Sequence, residues 1–524
     1  MHTPPQYQNW RTSQTSAQSD RGIVCTQHSD ASRAGMQMLK NGGNAMDAAI
    51  AAAFALSVCE PWASGLGGGG FCNYYCSSSK KVSCVTFQTP APMKLDYRDM
   101  TIVDGHTSDI FSWPSVSSDH NRYGPKSVAI PGAVAGYSQC LEAFGQCRWS
   151  DVLAPAINLA DQGHLVTWWS TIKIAEHASI LRQFKGSATD WLPAGLPACM
   201  SEELKHRYLD RTRLAQTLRR LQSEGADSFY TGHTADLLLH DIQKAGGYWT
   251  ETDLSSYHAH SSHSKQLTRG DYHYFAPVGF NASESFFKIM NNIPIYNGPM
   301  RHDVDPDHYH DIATSLISES KLRLMREGHL ANEVHNSPSS TSHITVRDVA
   351  GNVACLTTTL LSIFGSKYTS PSTGILLNNG LYWFYPTTQH HPNAMRQGAF
   401  PLTNMLPVIM TKGDQFFCAL GASGGRRILP AVTQLALLVS DYSMSLEAAF
   451  STDRIDTSEL ERIVVPSSLS ATSKDRLSCV APLYEWPDTI NPSPYGIANG
   501  ILTNASGSTG CVSQHLPLVS ALGL

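Results

Sequence analysis

The sequence has few charged side chains and no large excess of either sign. Charged residues make up 15% of the 524 residues, below the share of about a quarter that is typical of soluble domains. The 38 basic residues nearly balance the 43 acidic ones, so the net charge is −5. A nucleic-acid-binding protein needs a basic excess or stripe, so the composition argues against that class. The hydrophobic share of 42% supports a large core and excludes a wholly disordered chain.

Long apolar runs and dense cysteine clusters are also lacking. No segment has the roughly 20 apolar residues that a membrane helix needs, and the polar N-terminus lacks the apolar core of a secretory signal. We therefore expect an intracellular, cytoplasmic protein without a membrane partner, and a disordered tail over residues 1–21. The twelve cysteines are spread along the chain from Cys25 to Cys511, which favours reduced, mostly buried thiols.

Two groups of metal-binding residue types occur, but neither has convincing spacing. Cys72, Cys76 and Cys84 are unevenly spaced and no histidine follows them. The tract YHAHSSHSKQ at 257–266 contains three histidines on a Ser-rich segment, which we interpret as a solvated polar turn. The sequence therefore predicts no metal site and no cofactor.

A glycine motif resembles the dinucleotide-binding fingerprint but stands in the wrong context. Gly65, Gly67 and Gly70 match G-x-G-x-x-G, which binds a pyrophosphate when a strand precedes it and a helix follows. Here an Ala-rich helical segment precedes it and the β-rich FCNYYC follows. The reversed order argues against dinucleotide binding.

A second motif, GASGG at 421–425, matches the nucleophile elbow G-x-S-x-G. It lies between a predicted strand, QFFCALG, and a predicted helix, as an elbow requires. A catalytic Ser423 would need an acid and then a histidine later in the chain, and the one histidine after it is His515. The same turn could instead present backbone N–H groups to an oxyanion.

A third candidate is Thr341, which follows the Ser/Pro-rich segment HNSPSS and opens the predicted strand TSHITVRD. If the Ser340–Thr341 bond is cut, Thr341 carries both a hydroxyl and a free α-amino group with a pKa near 8. That amine can act as the base for its own hydroxyl, so the nucleophile needs no histidine.

An ordered series of segments resembles the γ-glutamyltranspeptidase (glutathione hydrolase) family from Gly22 to about Asp456. The segments are DASRAGMQMLKNGGNAMDAAIAAAFALSVCEPWASGLGGGGF, SVAIPGAVAGY, LAPAINLADQG, LRRLQSEGADSFYTG, AGGYWTETDLSSY, TSHITVRDVAGNVACLTTTL, FGSKYTSPSTGILLNN, PLTNMLPVIM and GASGGRRILPAVTQLALLVSDY. The resemblance implies an α+β fold, the four-layer αββα sandwich of N-terminal nucleophile hydrolases. It also implies self-cleavage between Ser340 and Thr341, into segments 22–340 and 341–524 that form one intertwined domain.

The resemblance implies that this sequence has all of the family's catalytic groups. The nucleophile falls on Thr341 and its supporting threonine on Thr359, while the oxyanion pair falls on Gly424 and Gly425. Ser423 stands where the family usually has proline.

The positions that match the family's substrate contacts are changed. They are Gln88, Leu361, Gly380, Trp383, Thr403 and Asn404. Gln88 replaces an arginine that pairs with the substrate carboxylate, and Leu361 replaces an asparagine. Gly380 and Trp383 replace the polar and acidic residues that hold the α-amino group, and 403–404 replaces a serine pair. The catalytic groups are kept, but the charges that recognise a glutamyl head are lost.

These observations predict an enzyme that cleaves or transfers a γ-glutamyl or related acyl group from a small amide such as glutathione or a glutathione conjugate. Its partners would be that substrate, a water or amine acceptor, and its own cleaved segment. Three alternatives stay open: an acylase of the cephalosporin-acylase type, a non-catalytic relative with a binding role, and a serine esterase using Ser423.

Overall fold

The computed structural model describes residues 14–107, 113–199, 207–296, 298, 303–327, 339–386, 390–486 and 494–524. Most of the HNSPSS segment and the first 13 residues lie outside the described residues.

The strands of the described part of the chain are, in order, β1 (Ser16–Gln18), β2 (Gly22–Thr26), β3 (Gly69–Cys76), β4 (Lys81–Phe87), β5 (Ile102–His106), β6 (Pro114–Val116), β7 (His164–Leu165), β8 (Tyr208–Leu209), β9 (His260–His263), β10 (Lys265–Arg269), β11 (Tyr272–Ala276), β12 (Ser339–Asp348), β13 (Val353–Ser362), β14 (Val408–Lys412), β15 (Gln415–Ser423), β16 (Ile463–Pro466), β17 (Leu483–Trp486), β18 (Ile497–Asn504), β19 (Gly507–Val512) and β20 (Ser520–Gly523).

The α-helices of the same residues are α1 (Ser29–Lys40), α2 (Ala45–Cys59), α3 (Ala133–Phe144), α4 (Trp149–Gln162), α5 (Trp168–Leu181), α6 (Lys185–Trp191), α7 (Thr212–Glu224), α8 (His233–Lys244), α9 (Glu251–Ser255), α10 (Ser283–Asn292), α11 (Pro306–Glu327), α12 (Ile428–Ser440), α13 (Leu446–Ser451) and α14 (Ala471–Ser478). No described helix combines the length and apolar character needed to cross a bilayer.

Two seven-stranded antiparallel sheets form the middle of the molecule. Their strand orders are β1-β19-β18-β15-β14-β11-β10 and β20-β2-β12-β13-β3-β4-β9. The sheets face each other through contacts of β12 and β13 with β15 and of β2 with β18 and β19. Helices α1, α2 and α3 contact the second sheet, while α10, α12 and α13 contact the first. The order helix, sheet, sheet, helix confirms the predicted four-layer α+β fold.

Both sheets contain strands from both sides of the predicted cleavage site. In the second sheet, β12 lies between β2 and β13, and in the first sheet β11 pairs with β14. Two segments cut at that site would therefore remain held together by shared sheets. The division into 22–340 and 341–524 stays a prediction.

Helix α2 supports the strand that carries Thr341. A capping box between Asn44 and Asp47 begins the helix, and every residue of Ala45–Cys59 is buried. Its many alanines allow close packing, and the helix contacts both β12 and β13. The helix ends at Glu60, so this acidic residue is brought to the buried side of the nucleophile strand.

Two expectations from the sequence are wrong in part. The tail predicted over residues 1–21 includes β1, which pairs with β19 at the edge of the first sheet. The polar turn predicted over 257–266 includes β9, an exposed edge strand paired with β4. In both cases, the strand is specified by backbone pairing with a neighbour and not by an alternating apolar pattern.

Candidate active site

Thr341 lies in an irregular part of β12. The strand includes both residues of the predicted cleavage site, Ser340 and Thr341. Its pairing with β13 shifts register between Ser340 and Ser342. Such a β-bulge changes the direction of a side chain without ending the strand. The predicted nucleophile is therefore the residue at which the ladder is broken.

Two hydroxyl groups meet at the carbonyl oxygen of Ser340. The Thr341 hydroxyl donates a hydrogen bond to this oxygen at 2.6 Å, and the Thr359 hydroxyl donates to it as well. The two threonine Oγ1 atoms are 3.4 Å apart. Thr359 Oγ1 also accepts the backbone N–H of Leu361 at 2.7 Å. The predicted nucleophile and its supporting threonine thus share the carbonyl group of the bond that is predicted to be cut.

The glycine-rich segment at 65–70 packs closely against β13, the strand that carries Thr359. A Cβ added at Gly68 would lie 2.1 Å from the carbonyl oxygen of Thr359, and one at Gly70 would lie 2.2 Å from that of Thr357. Only glycine permits the run to approach β13 so closely. The run follows α2 and leads into β3, as the sequence predicted, and its glycines are explained by this backbone contact.

His343 is a structural residue despite its place two positions after Thr341. Its ring bonds to the hydroxyls of Thr357 and Thr345 at 2.8 and 3.1 Å. A Cβ at Gly421 would collide with that ring. Burial lowers the pKa of His343 to about 3, so the imidazole is neutral at any ordinary pH. These contacts fix it between the two sheets, and it is not available as a base.

The turn predicted to supply the oxyanion pair lies beside the same strand. Gly424 and Gly425 have φ values of 122° and 60°, which L-residues with side chains adopt only at a cost. The short helix Gly425–Arg427 that follows contacts β12. Backbone N–H groups at such a turn, just before α12, suit a developing negative charge.

The elbow serine makes a contact that differs from that of a triad nucleophile. Ser423 is buried and its hydroxyl oxygen accepts a hydrogen bond from the side-chain amide of Gln27. The His515 ring lies against Tyr495, with 5.6 Å between ring centroids. The observed partner of Ser423 is therefore an amide and not an imidazole base.

Leu361 and Trp383 are buried in one apolar cluster, and Leu361 lies two residues after Thr359. They belong to one apolar cluster with Trp113 and Tyr382 and are 2% and 4% exposed. Leu361 has a φ of 79°, a conformation that asparagine tolerates better than leucine. Apolar side chains thus fill the place where the family resemblance puts polar contacts.

Gln88 and Thr403 meet at the backbone of Phe280. The Gln88 amide donates to the Phe280 carbonyl and accepts its N–H, both at 3.4 Å. The Thr403 hydroxyl donates to the same carbonyl at 2.9 Å. Arg323 holds the other side of this loop by donating to the Thr403 carbonyl at 2.7 Å. Asn404 follows and is half-buried. The side-chain groups of Gln88 and Thr403 are thus engaged by main chain.

Gly380 is packed so closely that no side chain fits. A Cβ there would lie 2.4 Å from the Cβ of Ala129 and 3.2 Å from the Thr89 hydroxyl. Its N–H donates to the side-chain oxygen of Asn378 at 2.8 Å. Gly380 begins the short helix that ends at Trp383. A side chain at position 380 would therefore collide with Ala129.

Glu60, Ser342 and Trp113 lie beside the candidate site but were not predicted from the sequence. Glu60 is 4% exposed, and its Oε2 accepts the Ser342 hydroxyl at 3.1 Å. An acidic residue directly after a fully buried, Ala-rich helix was a usable signal. Trp113 donates its indole N–H to the Tyr382 carbonyl at 3.2 Å. Nothing in the sequence around Trp113 indicates this partner.

Comparisons with known proteins agree with this architecture. The family described as "Gamma-glutamyltranspeptidase" matches residues 31–275 and 300–510. The chain is 29% identical over 499 residues to the "Acylase ACY 1 proenzyme" of Pseudomonas sp. (strain V22), covering 87% of this chain and 86% of the acylase. It is 28% identical over 495 residues to the "Glutathione hydrolase proenzyme" of Pseudomonas sp. (strain A14), covering 84% and 82%.

A solved structure gives the same result at the level of the fold. Cephalosporin acylase from Bacillus halodurans superposes with a TM-score of 0.83 at 20% identity, over 100% of this chain and 99% of the acylase. The match of the family profile across most of the sequence decides the assignment. The chain belongs to the gamma-glutamyltranspeptidase family of N-terminal nucleophile hydrolases.

Proposed function

We propose that the chain is a self-processed amide hydrolase or acyltransferase whose nucleophile is Thr341. The observation that carries this proposal is the pair of hydroxyls, from Thr341 and Thr359, on the carbonyl oxygen of Ser340. This arrangement joins a nucleophile, a scissile carbonyl and a donor for its oxygen in one buried place. The neutral, enclosed His343 supports a mechanism in which no histidine takes part.

Self-cleavage follows from these contacts in two steps. Thr341 Oγ1 attacks the Ser340 carbonyl carbon and loses its proton, and the Thr359 hydroxyl stabilises the negative charge on the carbonyl oxygen. The C–N bond then breaks and the nitrogen takes up a proton, which leaves an ester between Ser340 and the Thr341 side chain. Water hydrolyses the ester to give a carboxylate on Ser340 and a free α-amine on Thr341.

Turnover uses the same threonine with its new amine. The α-amine accepts the proton of Thr341 Oγ1 as this oxygen attacks a substrate amide. The N–H groups at Gly424 and Gly425 hold the oxyanion, and the amine leaving group departs with a proton. Water or an amine acceptor then attacks the acyl-enzyme and releases Thr341.

For the substrate, we propose an amide whose acyl group is bulkier or less charged than a plain γ-glutamyl group. Burying an unpaired charge costs several kcal/mol, and Gln88, Leu361, Gly380 and Trp383 supply no charge. Leu361 and Trp383 form a buried apolar cluster at these positions, and such surroundings suit a ring or an alkyl chain better than a charged head group. The acylase among the named relatives favours this alternative, and the glutathione hydrolase keeps a glutathione conjugate as the γ-glutamyl option.

The test is an activity panel on mature protein and on a matched pair of variants. Thr341→Ser keeps a hydroxyl and should cleave itself and turn over, whereas Thr341→Ala should do neither. The panel compares γ-glutamyl amides with amides of apolar and aromatic acids. A Thr341→Ala protein that retains amidase activity would show that another residue is the nucleophile.

A further inference from the structure

A buried carboxyl group lies directly behind the nucleophile strand. Glu60 terminates α2, and its Oε2 accepts the hydroxyl of Ser342 at 3.1 Å. The Ser64 hydroxyl donates to Ser342 Oγ at 2.9 Å. Ser342 is bonded to Thr341, so a chain of hydrogen bonds runs from Ser64 through the neighbour of the nucleophile to Glu60.

The loop that begins at Glu60 also holds the opposite strand. The Ala63 carbonyl accepts the N–H of Leu360 at 3.0 Å, and the Trp62 carbonyl accepts the N–H of Phe364 at 2.9 Å. Leu360 directly follows Thr359, which donates to the scissile carbonyl. One loop is therefore tied to β12 by a side chain and to the end of β13 by its backbone.

We propose that Glu60 is a positioning residue for Thr341, which acts through Ser342 and the 60–64 loop to keep the bulge at the scissile bond in its reactive shape. This inference rests on the proposed function, because it concerns the same self-cleavage. Glu60 does not touch the reacting atoms, so it is not a catalytic residue. It fixes the backbone on both sides of them.

The positioning form is the neutral carboxyl group. Burial raises the pKa of Glu60 to about 8, and the hydrogen bond from Ser342 offsets only part of this effect. Above that pH, a negative charge would appear in a site where one hydroxyl solvates it. Since an unpaired buried charge is costly, ionisation should draw the 60–64 loop toward water and disturb the bulge.

The other groups around this end of α2 do not titrate in the same pH range. Burial lowers the pKa of His28 to about 4 and that of His164 to about 3, and it raises the pKa of the Cys59 thiol well above its usual value. The charged groups of the surrounding elements are paired: Arg33 with Asp30, and Arg211 with Asp190. Among the groups named around this end of α2, Glu60 is therefore the one whose pKa lies near 8.

Self-cleavage of the full-length precursor is the decisive assay, because the uncut Thr341 has no α-amine to titrate near pH 8. The first-order rate is measured from pH 6 to 10 for wild type, Glu60→Gln and Ser342→Ala. Glu319→Gln is the matched control, since Glu319 is also buried and accepts a serine hydroxyl, that of Ser285 at 3.2 Å. Thermal melting of each precursor establishes that it is folded.

Glu60→Gln mimics the neutral carboxyl, so its rate should stay within about threefold of wild type at pH 6.5. At pH 9.5 the ratio of wild-type to Glu60→Gln rate should be at least tenfold lower than at pH 6.5. Ser342→Ala should slow cleavage at pH 6.5, and Glu319→Gln should follow wild type throughout. A ratio that does not vary with pH, or an unchanged Ser342→Ala, overturns the positioning role. A wild type that never cleaves would instead overturn the proposed function.

Discussion

Restoring two charges should convert the pocket toward simple γ-glutamyl substrates. The perturbation is Gln88→Arg combined with Trp383→Asp, which places a cation and an anion at positions that are now neutral. An arginine at position 88 can still donate to the Phe280 carbonyl that Gln88 contacts at 3.4 Å. Removing Trp383 opens space beside Leu361, since both belong to one buried cluster.

The expected loss of affinity for a γ-glutamyl group follows from the charged contacts that these positions no longer supply. A hydrogen bond to a charged group contributes about 1.5–3 kcal/mol, and both the carboxylate and the ammonium of a glutamyl head lack an opposite charge at the four matched positions. Two such losses amount to roughly a thousandfold in affinity, because about 1.4 kcal/mol is tenfold. Wild type should therefore act on a γ-glutamyl anilide with kcat/KM well below about 10⁴ M⁻¹s⁻¹, the lower end of efficient enzymes.

The assay is kcat/KM for the γ-glutamyl anilide, with an anilide of an apolar acid run in parallel. The double variant should gain at least tenfold on the first substrate and lose activity on the second. Gln88→Met with Trp383→Ala is the control, because it opens the same space without adding charge and should gain nothing on the γ-glutamyl substrate. Truncating a buried tryptophan costs about 3–5 kcal/mol of stability, so each variant is assayed below its measured Tm.

A wild-type value at or above about 10⁴ M⁻¹s⁻¹ on the γ-glutamyl anilide would refute this account of the pocket. The carboxylate would then be held by another cation. Arg122 is the first residue to test in that case, because its guanidinium lies 5.2 Å from the centre of the Tyr382 ring in the same cluster.

Three further predictions concern the catalytic turn, the supporting threonine and the buried acid. Ser423→Ala should keep most of the amidase activity, whereas activity loss on covalent labelling of Ser423 by a phosphonate would favour a serine esterase. Thr359→Ala should slow self-cleavage by about 10²–10³-fold, the usual effect of removing an oxyanion donor, and Thr359→Ser should restore it; equal rates in all three would contradict the role. Because the folded pKa of Glu60 is raised to about 8, its burial costs stability as pH rises from about 4.5 to 8. Urea titrations should therefore show Glu60→Gln gaining stability over wild type by a few kcal/mol between pH 5 and 8.5, and a constant difference would show that Glu60 is ionised when buried.

The elements around the predicted nucleophile have local signals in the sequence, whereas the four-layer fold was implied only by the resemblance to the family. The apolar run after Asn44 predicts the buried helix α2, and the alternation on both sides of 350–352 predicts β12 and β13. Thr341 follows a breaker-rich segment at the predicted start of a strand, and this position suggests a cleaved bond; the strand itself begins at Ser339. The glycines at 421–425 predict a turn between a strand and a helix.

Features that depend on partners distant in the chain could not be predicted. Strand β9 is polar and exposed, and it exists because β4 offers it a free edge. Trp113 packs in one cluster with Leu361, which is distant from it in the chain, and Gln88 meets Thr403 only because both contact Phe280. Glu60 accepts the hydroxyl of Ser342, which lies 282 positions later in the chain, so its place beside the nucleophile strand has no local signal.

Whether Thr341 becomes an N-terminal nucleophile is decided by an intact-mass measurement on purified wild-type protein. We expect two chains of 340 and 184 residues for wild type, the second beginning at Thr341, and one uncut chain for Thr341→Ala. A wild-type chain that remains whole after prolonged incubation, or that is cut at a different bond, would contradict it.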